Sequence, residues 1–357
     1  MAREAYASVA ELTAPGTLSA IAGTSIGSVH QEPFGSVDAL SGATMFALVT
    51  DVGQRYIVKR MAYATDWIMQ ATEDTACRAV VSWTSGLLDQ LPAELCHEVL
   101  ACARDGAGWA LLLRDVSPAM IPPGDDLIVE AENEGLVDAM AALHVHFMGK
   151  PGLANPRDGF CSLRTRYSEL APRTMRAVQY LNHPIPPIAL EGWALLPKLV
   201  APDVVETVMT LLGDPAPLCS ALERFPQTVV HGDWKLGNLG IHRDANQVVL
   251  LDWAIVGPAP GVVDLGWYLA VNCARLPVSK EATIAIYRSC LERRLGRTIP
   301  DEEWRAQLEL SLLGAFIQLG WPKAYGADRA ADASTRARER AELDWWSEHA
   351  RAGAALL

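Results

Sequence analysis

Several kinds of signal are missing from this sequence, and each absence removes a class of function. No uninterrupted apolar run approaches the length of a membrane span, although 50% of the residues are hydrophobic. Met1-Ala2-Arg3-Glu4-Ala5 opens the chain without the apolar core of a signal peptide. Positive charge is scarce: 30 Lys and Arg face 42 Asp and Glu, and the formal charge of −12 argues against binding nucleic acid or an anionic membrane. The seven cysteines (77, 96, 102, 161, 219, 273 and 290) are odd in number and never spaced Cys-x-x-Cys. That usage predicts a reducing cytoplasm, with cysteines as small buried hydrophobes in place of bridges or zinc ligands. There is no internal repeat and no low-complexity tract. His144 and His146 tempt as a metal pair, but the flanking 136–143 run reads as helix, where residues two apart point in different directions. They read as core and surface histidines.

What is present centres on Val230-His231-Gly232-Asp233-Trp234-Lys235-Leu236-Gly237-Asn238, followed by Val249-Leu250-Leu251-Asp252-Trp253. Phosphoryl transfer from a nucleotide needs such a set. One carboxylate positions or deprotonates the attacking hydroxyl, while an amide oxygen and a second carboxylate hold Mg²⁺ on the phosphates. Val229-Val230 reads as the end of a short strand, and Gly232 permits a tight turn. Residues 247–251 form an apolar strand that delivers Asp252 at its carboxyl end. Taken singly, Asp233 and Asn238 are ordinary turn formers and Asp252 a strand cap. Both pieces in order, with a strand between them, point to the metal-dependent reading.

The stretch resembles the catalytic and metal-binding loops of the aminoglycoside phosphotransferase family, relatives of choline kinases within the protein-kinase-like fold. Those enzymes carry His-Gly-Asp-x-x-x-x-Asn and then an Asp after an apolar strand. The resemblance implies an α+β, protein-kinase-like fold with two lobes. The small N-terminal lobe, residues 1–116, is an antiparallel sheet with a helical arm. The larger lobe, residues 117–357, is mainly helical. It also implies that Asp233 is the catalytic carboxylate, that Asn238 and Asp252 hold Mg²⁺, and that ATP is the phosphate donor. GTP stays open, because a hinge read through its backbone need not exclude it.

The rest of the chain is compatible with this layout. Residues 1–30 read as one or two short helices broken at Pro15-Gly16. A turn lies between Phe34 and Thr44, a strand over 45–50, a tight turn over 51–54 and a returning strand over 55–61. In the family that first hairpin covers the nucleotide phosphates, and the returning strand carries a lysine that contacts them. Lys59 fits that place, and Ser41, Gly42 and Ala43 are placed to offer backbone N–H groups to phosphate oxygens. The loop is not a G-x-G-x-x-G sequence. Thr72 to Leu91 reads as the next helix, with Glu73 on its inward stripe as a candidate partner of Lys59. Glu73 is equally a helix-dipole residue of the first turn, and the family's glutamate position then corresponds to Ala79. Residues 108–113 form an apolar strand whose place resembles the family's hinge, where the backbone hydrogen-bonds adenine, and position alone puts Arg114 and Val116 there.

Beyond 128 the pattern is helical, clearest over 136–147 and 280–295. Residues 257–261 read as a rigid loop, 262–270 as a helix, and 301–319 as a helix ended by a loop, 320–326, that carries Trp321 and Tyr325. Asp264 reads as a helix N-cap or, by the resemblance, as the residue that holds the catalytic loop backbone. The expected partners are a nucleotide and a small-molecule hydroxyl acceptor, with no nucleic acid and no membrane; the oligomeric state is open. Acidic residues of the helical segments, among them Glu191, Asp203, Glu206, Asp301, Glu302, Glu303, Asp344 and Glu348, suit an amine-bearing alcohol, amino sugar or aminoglycoside. Read singly, they are a solvated helix face. Two other functions share the pattern: a catalytically silent, nucleotide-binding regulator and a small-molecule binding protein that works by sequestration.

Overall fold

A computed structural model describes residues 3–35 and 41–357; part of the turn expected between Phe34 and Thr44, residues 36–40, lies outside the described residues. The chain divides into two compact units, residues 1–124 with 236–254, and residues 125–235 with 255–357.

The first unit opens with two short helices, Val9–Leu12 and Pro15–Ala22, with Pro15 in the first turn of the second, where its missing N–H costs nothing. Its main sheet has five strands in the spatial order Val29–Pro33, Thr44–Thr50, Arg55–Met61, Gly108–Arg114 and Val99–Asp105, every neighbour antiparallel. β-Branched and aliphatic residues dominate these strands, and Ala47, Val58, Ala110 and Leu112 are fully buried along them. Lys59 stands on the middle strand, opposite Met45 and Leu111. A second sheet joins Leu95–Cys96, parallel, to Gln247–Leu250, which pairs antiparallel with Leu239–His242. The Leu239–His242 partner strand carries little alternation and is not evident in the sequence.

The helix expected over Thr72 to Leu91 is shorter. It spans Arg78–Thr84, preceded by a separate turn of helix, Trp67–Ala71. Glu73 and Cys77 both have left-handed backbones, φ 52° and 62°, which no α-helix accommodates. The buried Asp74 carboxylate accepts the Arg78 N–H at 2.9 Å and so starts the helix five residues later than Glu73. Glu73 is therefore exposed in a turn, off the inward helix face assigned to it.

The second unit is mainly helical around a two-stranded pair, Thr228–Val230 with Gly257–Ala259. The expected loop at 257–261 thus begins as a strand, and Gly257 is what lets it approach: a Cβ there would lie 1.8 Å from the Cys161 carbonyl oxygen. Glu130–Phe147, Val262–Val271 and Lys280–Leu295 match the periodic stretches of the sequence. The predicted loop at 320–326 is not a loop. Asp301–Arg329 is one long helix with a kink at Leu319 (φ −124°, ψ 17°), and Ala333–Ala354 packs against it. Pro322 explains both features. Its ring displaces the carbonyl one turn earlier, but burial of Phe316, Ile317, Trp321 and Ala324 holds the helix together across the break. Among the described residues no helix is long and apolar enough to cross a membrane.

Candidate active site

In the first unit the hairpin register places the two candidate metal residues. Leu239 faces Leu250, and the Leu251 N–H continues the ladder to the Asn238 carbonyl oxygen at 2.9 Å. Asn238 and the segment leading to Asp252 therefore lie at the same end of one hairpin. Asp252 itself has φ 61°, a conformation that costs a non-glycine residue roughly 1–3 kcal/mol and is found where a site requires it. Its Oδ1 lies 3.0 Å from the Lys59 Nζ. The strand lysine and the aspartate after the second apolar strand, far apart in the chain, are thus an ion pair. Glu73 makes no such contact.

A residue not anticipated from the sequence completes this corner. Asp66, 3% exposed, caps the helix Trp67–Ala71 through the Met69 N–H at 3.0 Å. Burial raises its pKa; the Met69 N–H, the Ser41 hydroxyl and the Lys59 charge work against that, while Asp252 adds to it. Lys59 thus pairs with Asp252 and lies in the field of the buried Asp66. The Ser41–Ala43 loop rests on the same residues. The Trp67 N–H donates to the Ser41 carbonyl at 3.0 Å, and the Ala43 N–H donates to Ser41 Oγ at 3.2 Å, so that group is already engaged. Gly42 has φ 108°, and a Cβ there would come within 2.5 Å of the Thr65 carbonyl oxygen.

Arg78 is buried, 4% exposed, a role that helical spacing does not signal. Its guanidinium donates to Thr72 Oγ1 (2.9 Å) and the Thr72 carbonyl (2.6 Å), and reaches the Ala254 carbonyl two residues beyond Asp252 at 3.4 Å. Burial of an arginine is costly unless its donors are used, so this one pins the loop behind Asp252. Arg114 ends its strand with its N–H on the Glu98 carbonyl at 2.9 Å, and Val116 is buried behind it.

In the second unit Gly232 takes φ 93°, and a Cβ would lie 1.8 Å from Arg166 Nη2. The buried Arg166 donates to the carbonyls of Gly232 (2.8 Å) and Ile255 (3.1 Å). Asp233 follows directly, its carboxylate held from two sides. Trp267 Nε1 donates to Oδ1 at 3.0 Å, and Lys235 Nζ stands 3.0 Å from Oδ2. Asp264 is not the cap of its helix, which starts two residues earlier. Its carboxylate accepts the N–H groups of His231 and Gly232, each at 2.8 Å. His144 Nε2 lies 3.2 Å from the same carboxylate, and His144 Nδ1 lies 2.7 Å from the Tyr287 hydroxyl. His144 is thus a core histidine that anchors the loop, and His146 is exposed. Lys235, Trp267 and Arg166 were missed because a lysine in a loop and an aromatic in a helix carry no periodic mark.

Of the acidic residues considered for the acceptor, Glu191, Asp203 and Asp301 are paired at the surface with Arg329, Arg351 and Arg288. Glu206, Glu302, Asp344 and Glu348 are exposed. The buried carboxylates nearby, Glu339 and Glu342, face Lys323 at 3.7 and 3.9 Å.

The model of the phosphotransferase enzyme family (APH) matches residues 39–295. No curated protein matches the sequence. Among solved structures, the ethanolamine kinase of Plasmodium vivax is similar with a TM-score of 0.53 at 12% identity, over 90% of this chain and 82% of that one. The microcompartment-associated aminopropanol kinase gives 0.52 at 12% identity, over 92% and 95%. The aminoglycoside phosphotransferase of Alicyclobacillus acidocaldarius gives 0.46 at 16%, over 93% and 91%. With the first two the likeness is one of fold, the two-lobe α+β architecture of protein-kinase-like enzymes.

Proposed function

The chain belongs to the phosphotransferase enzyme family, whose model covers most of its length, and on that premise we propose that it is an ATP-dependent small-molecule kinase. The reaction is transfer of the γ-phosphoryl group to an acceptor hydroxyl. The observation that carries the proposal is the Lys59–Asp252 pair at 3.0 Å, formed where the hairpin also brings Asn238.

Asp233 accepts the acceptor's hydroxyl proton at a carboxylate oxygen, or orients that hydroxyl by hydrogen bonding. Trp267 and Lys235 fix the plane of the carboxylate, so no reorientation is needed during reaction. Lys59, beside Asp252, would steady the nucleotide phosphates, and Asp252 with Asn238 would hold the metal. Asn238 and Asp252, at the same end of one hairpin, offer the hard oxygen donors that fit a divalent cation. When bound, Mg²⁺ neutralises phosphate oxygens as charge shifts between them. Ser41 to Ala43 cover the phosphates and Arg114 with Val116 meet the base; Glu73, exposed in its turn, has no part in this reading. GTP remains an alternative donor.

The acceptor is proposed to be a small hydroxylated molecule, cationic in preference to anionic, on the strength of the net charge of −12. Amine-bearing alcohols, amino sugars and aminoglycosides are its candidates. Purified protein should phosphorylate at least one of these in a screen that also holds macrolides, neutral sugars and acidic metabolites. Asp233→Asn should then slow turnover by roughly 10²–10⁴-fold while keeping nucleotide affinity. Turnover of the variant at the wild-type rate would remove Asp233 from the mechanism.

A regulator that binds nucleotide without turnover is the second reading, favoured by one observation: Lys59 has no glutamate partner on the helix Arg78–Thr84. Mg²⁺-dependent nucleotide binding with no phosphorylated product across the whole screen would decide for it.

A further inference from the structure

The first unit holds a second set of metal-ligating side chains that the phosphotransferase reading does not use. Cys96 ends the short strand Leu95–Cys96, Glu98 lies two residues on, and His242 ends the strand Leu239–His242. One ligand atom from each falls within 4.8 Å of the other two. Cys96 Sγ and His242 Nε2 each lie 3.9 Å from Glu98 Oε1. Tetrahedral coordination at ordinary zinc–ligand distances separates such atoms by about 3.3–3.5 Å, so side-chain adjustment of about half an ångström to one ångström closes the set.

Glu98 supplies the second observation. It is a carboxylate 3% exposed, yet its nearest cation, Arg114 Nε, is 3.8 Å away on a side chain 65% exposed. A buried carboxylate ordinarily has close hydrogen-bond donors or a close counter-charge. Here its contacts from Cys96, His242 and Arg114 all stand at 3.8 Å or beyond. Burial accordingly raises the Glu98 pKa, and burial together with Glu98 pushes the Cys96 thiol up to about 11. A divalent cation would reverse both effects at once.

We propose that Cys96, Glu98 and His242 bind one divalent ion of the zinc class, through sulfur, oxygen and nitrogen, with the fourth position open to water. The donor set selects against Mg²⁺, which takes hard oxygen ligands in octahedral array. The site is distinct from the nucleotide corner. His242 closes the end of the hairpin opposite Asn238, roughly 13 Å away along an extended strand. Because the Glu98 carbonyl accepts the Arg114 N–H, the ion would brace the end of the strand that leads to Val116. The cysteine spacing gave no sign of it, since the ligands come from the Leu95–Cys96 strand, the residues just after it, and the Leu239–His242 strand, which are joined through Gln247–Leu250.

Cobalt(II) titration of chelator-stripped full-length protein, without nucleotide, tests the proposal. One equivalent should bind with a thiolate-to-cobalt charge-transfer band, and zinc should displace it. Cys96→Ser should abolish the band. His242→Gln, a change at a half-exposed hairpin end that leaves the fold intact, should weaken binding at least tenfold. Asp252→Ala should leave the band unchanged, so failure here is separate from failure of the kinase reading. No charge-transfer band, a band that survives Cys96→Ser, or undiminished affinity in His242→Gln each overturns the proposal.

Discussion

Asp264 is a fully buried carboxylate whose charge is held by two backbone N–H groups and an imidazole. Burial alone would raise its pKa; the hydrogen bond and charge of His144, with Arg166 and His231, outweigh burial and lower it. A carboxylate with a depressed folded pKa stabilises the native state fully above its unfolded value, about 3.9. That contribution is lost as pH falls through the lower folded value. Asp264→Asn should therefore cost about 3–5 kcal/mol at neutral pH, because His144 and the loop lose their anion. The variant's deficit should shrink in acid, where wild type loses the same interaction. Denaturant midpoints at several pH values measure this, and equal neutral stability of the two proteins would refute the anchoring role. For the proposed metal ligands, calorimetric titration of ATP with and without Mg²⁺ is the direct measure. Asp252→Ala should abolish the Mg²⁺ dependence of binding, and Asn238→Ala should reduce it. An unchanged Mg²⁺ effect in Asp252→Ala would move the metal elsewhere.

At the scale of elements, the strongest periodic stretches were legible and the breaks between them less so. The strands Thr44–Thr50 and Arg55–Met61 and the helix Lys280–Leu295 stand where alternation or helical spacing put them. Where the sequence suggests one helix from Thr72, left-handed Glu73 and Cys77 interrupt it, and the Asp74 carboxylate bonds the Arg78 N–H where Arg78–Thr84 begins, a local geometry that no propensity reveals. The sequence puts a loop at 320–326, but Asp301–Arg329 is one helix with a kink at Leu319, since tertiary burial on both sides outweighs the local cost of Pro322. Gly42 is an element-level requirement: it lets the loop before Thr44–Thr50 lie on Thr65. Gly42→Ala should destabilise the protein by about 1–3 kcal/mol through its positive φ and the close Thr65 oxygen. Thermal or denaturant unfolding would read it. A neutral effect would mean that the loop does not rest there in solution.

Across the whole molecule, the formal charge of −12 sets a field that no single carboxylate accounts for. If the acceptor is cationic, its KM should rise with ionic strength over about 0.01–0.5 M, where the Debye length falls several-fold. The KM of a neutral acceptor should stay flat. Equal salt response for both would detach acceptor choice from net charge. The sequence by itself determined the family and the two-unit α+β class, because His231 to Asn238 and the strand before Asp252 encode local geometry within a few residues. It also marked Lys59, Asp233, Asn238 and Asp252. Only the tertiary structure decided their partners: Lys59 with Asp252, Asp233 with Trp267 and Lys235, Asp264 with His144 and the loop N–H groups. Apart from Asp233 with its loop neighbour Lys235, those pairings join segments remote in sequence, whose meeting depends on sheet register and helix packing. They follow from desolvation, which forces each buried charge to find whatever partner the packing brings near.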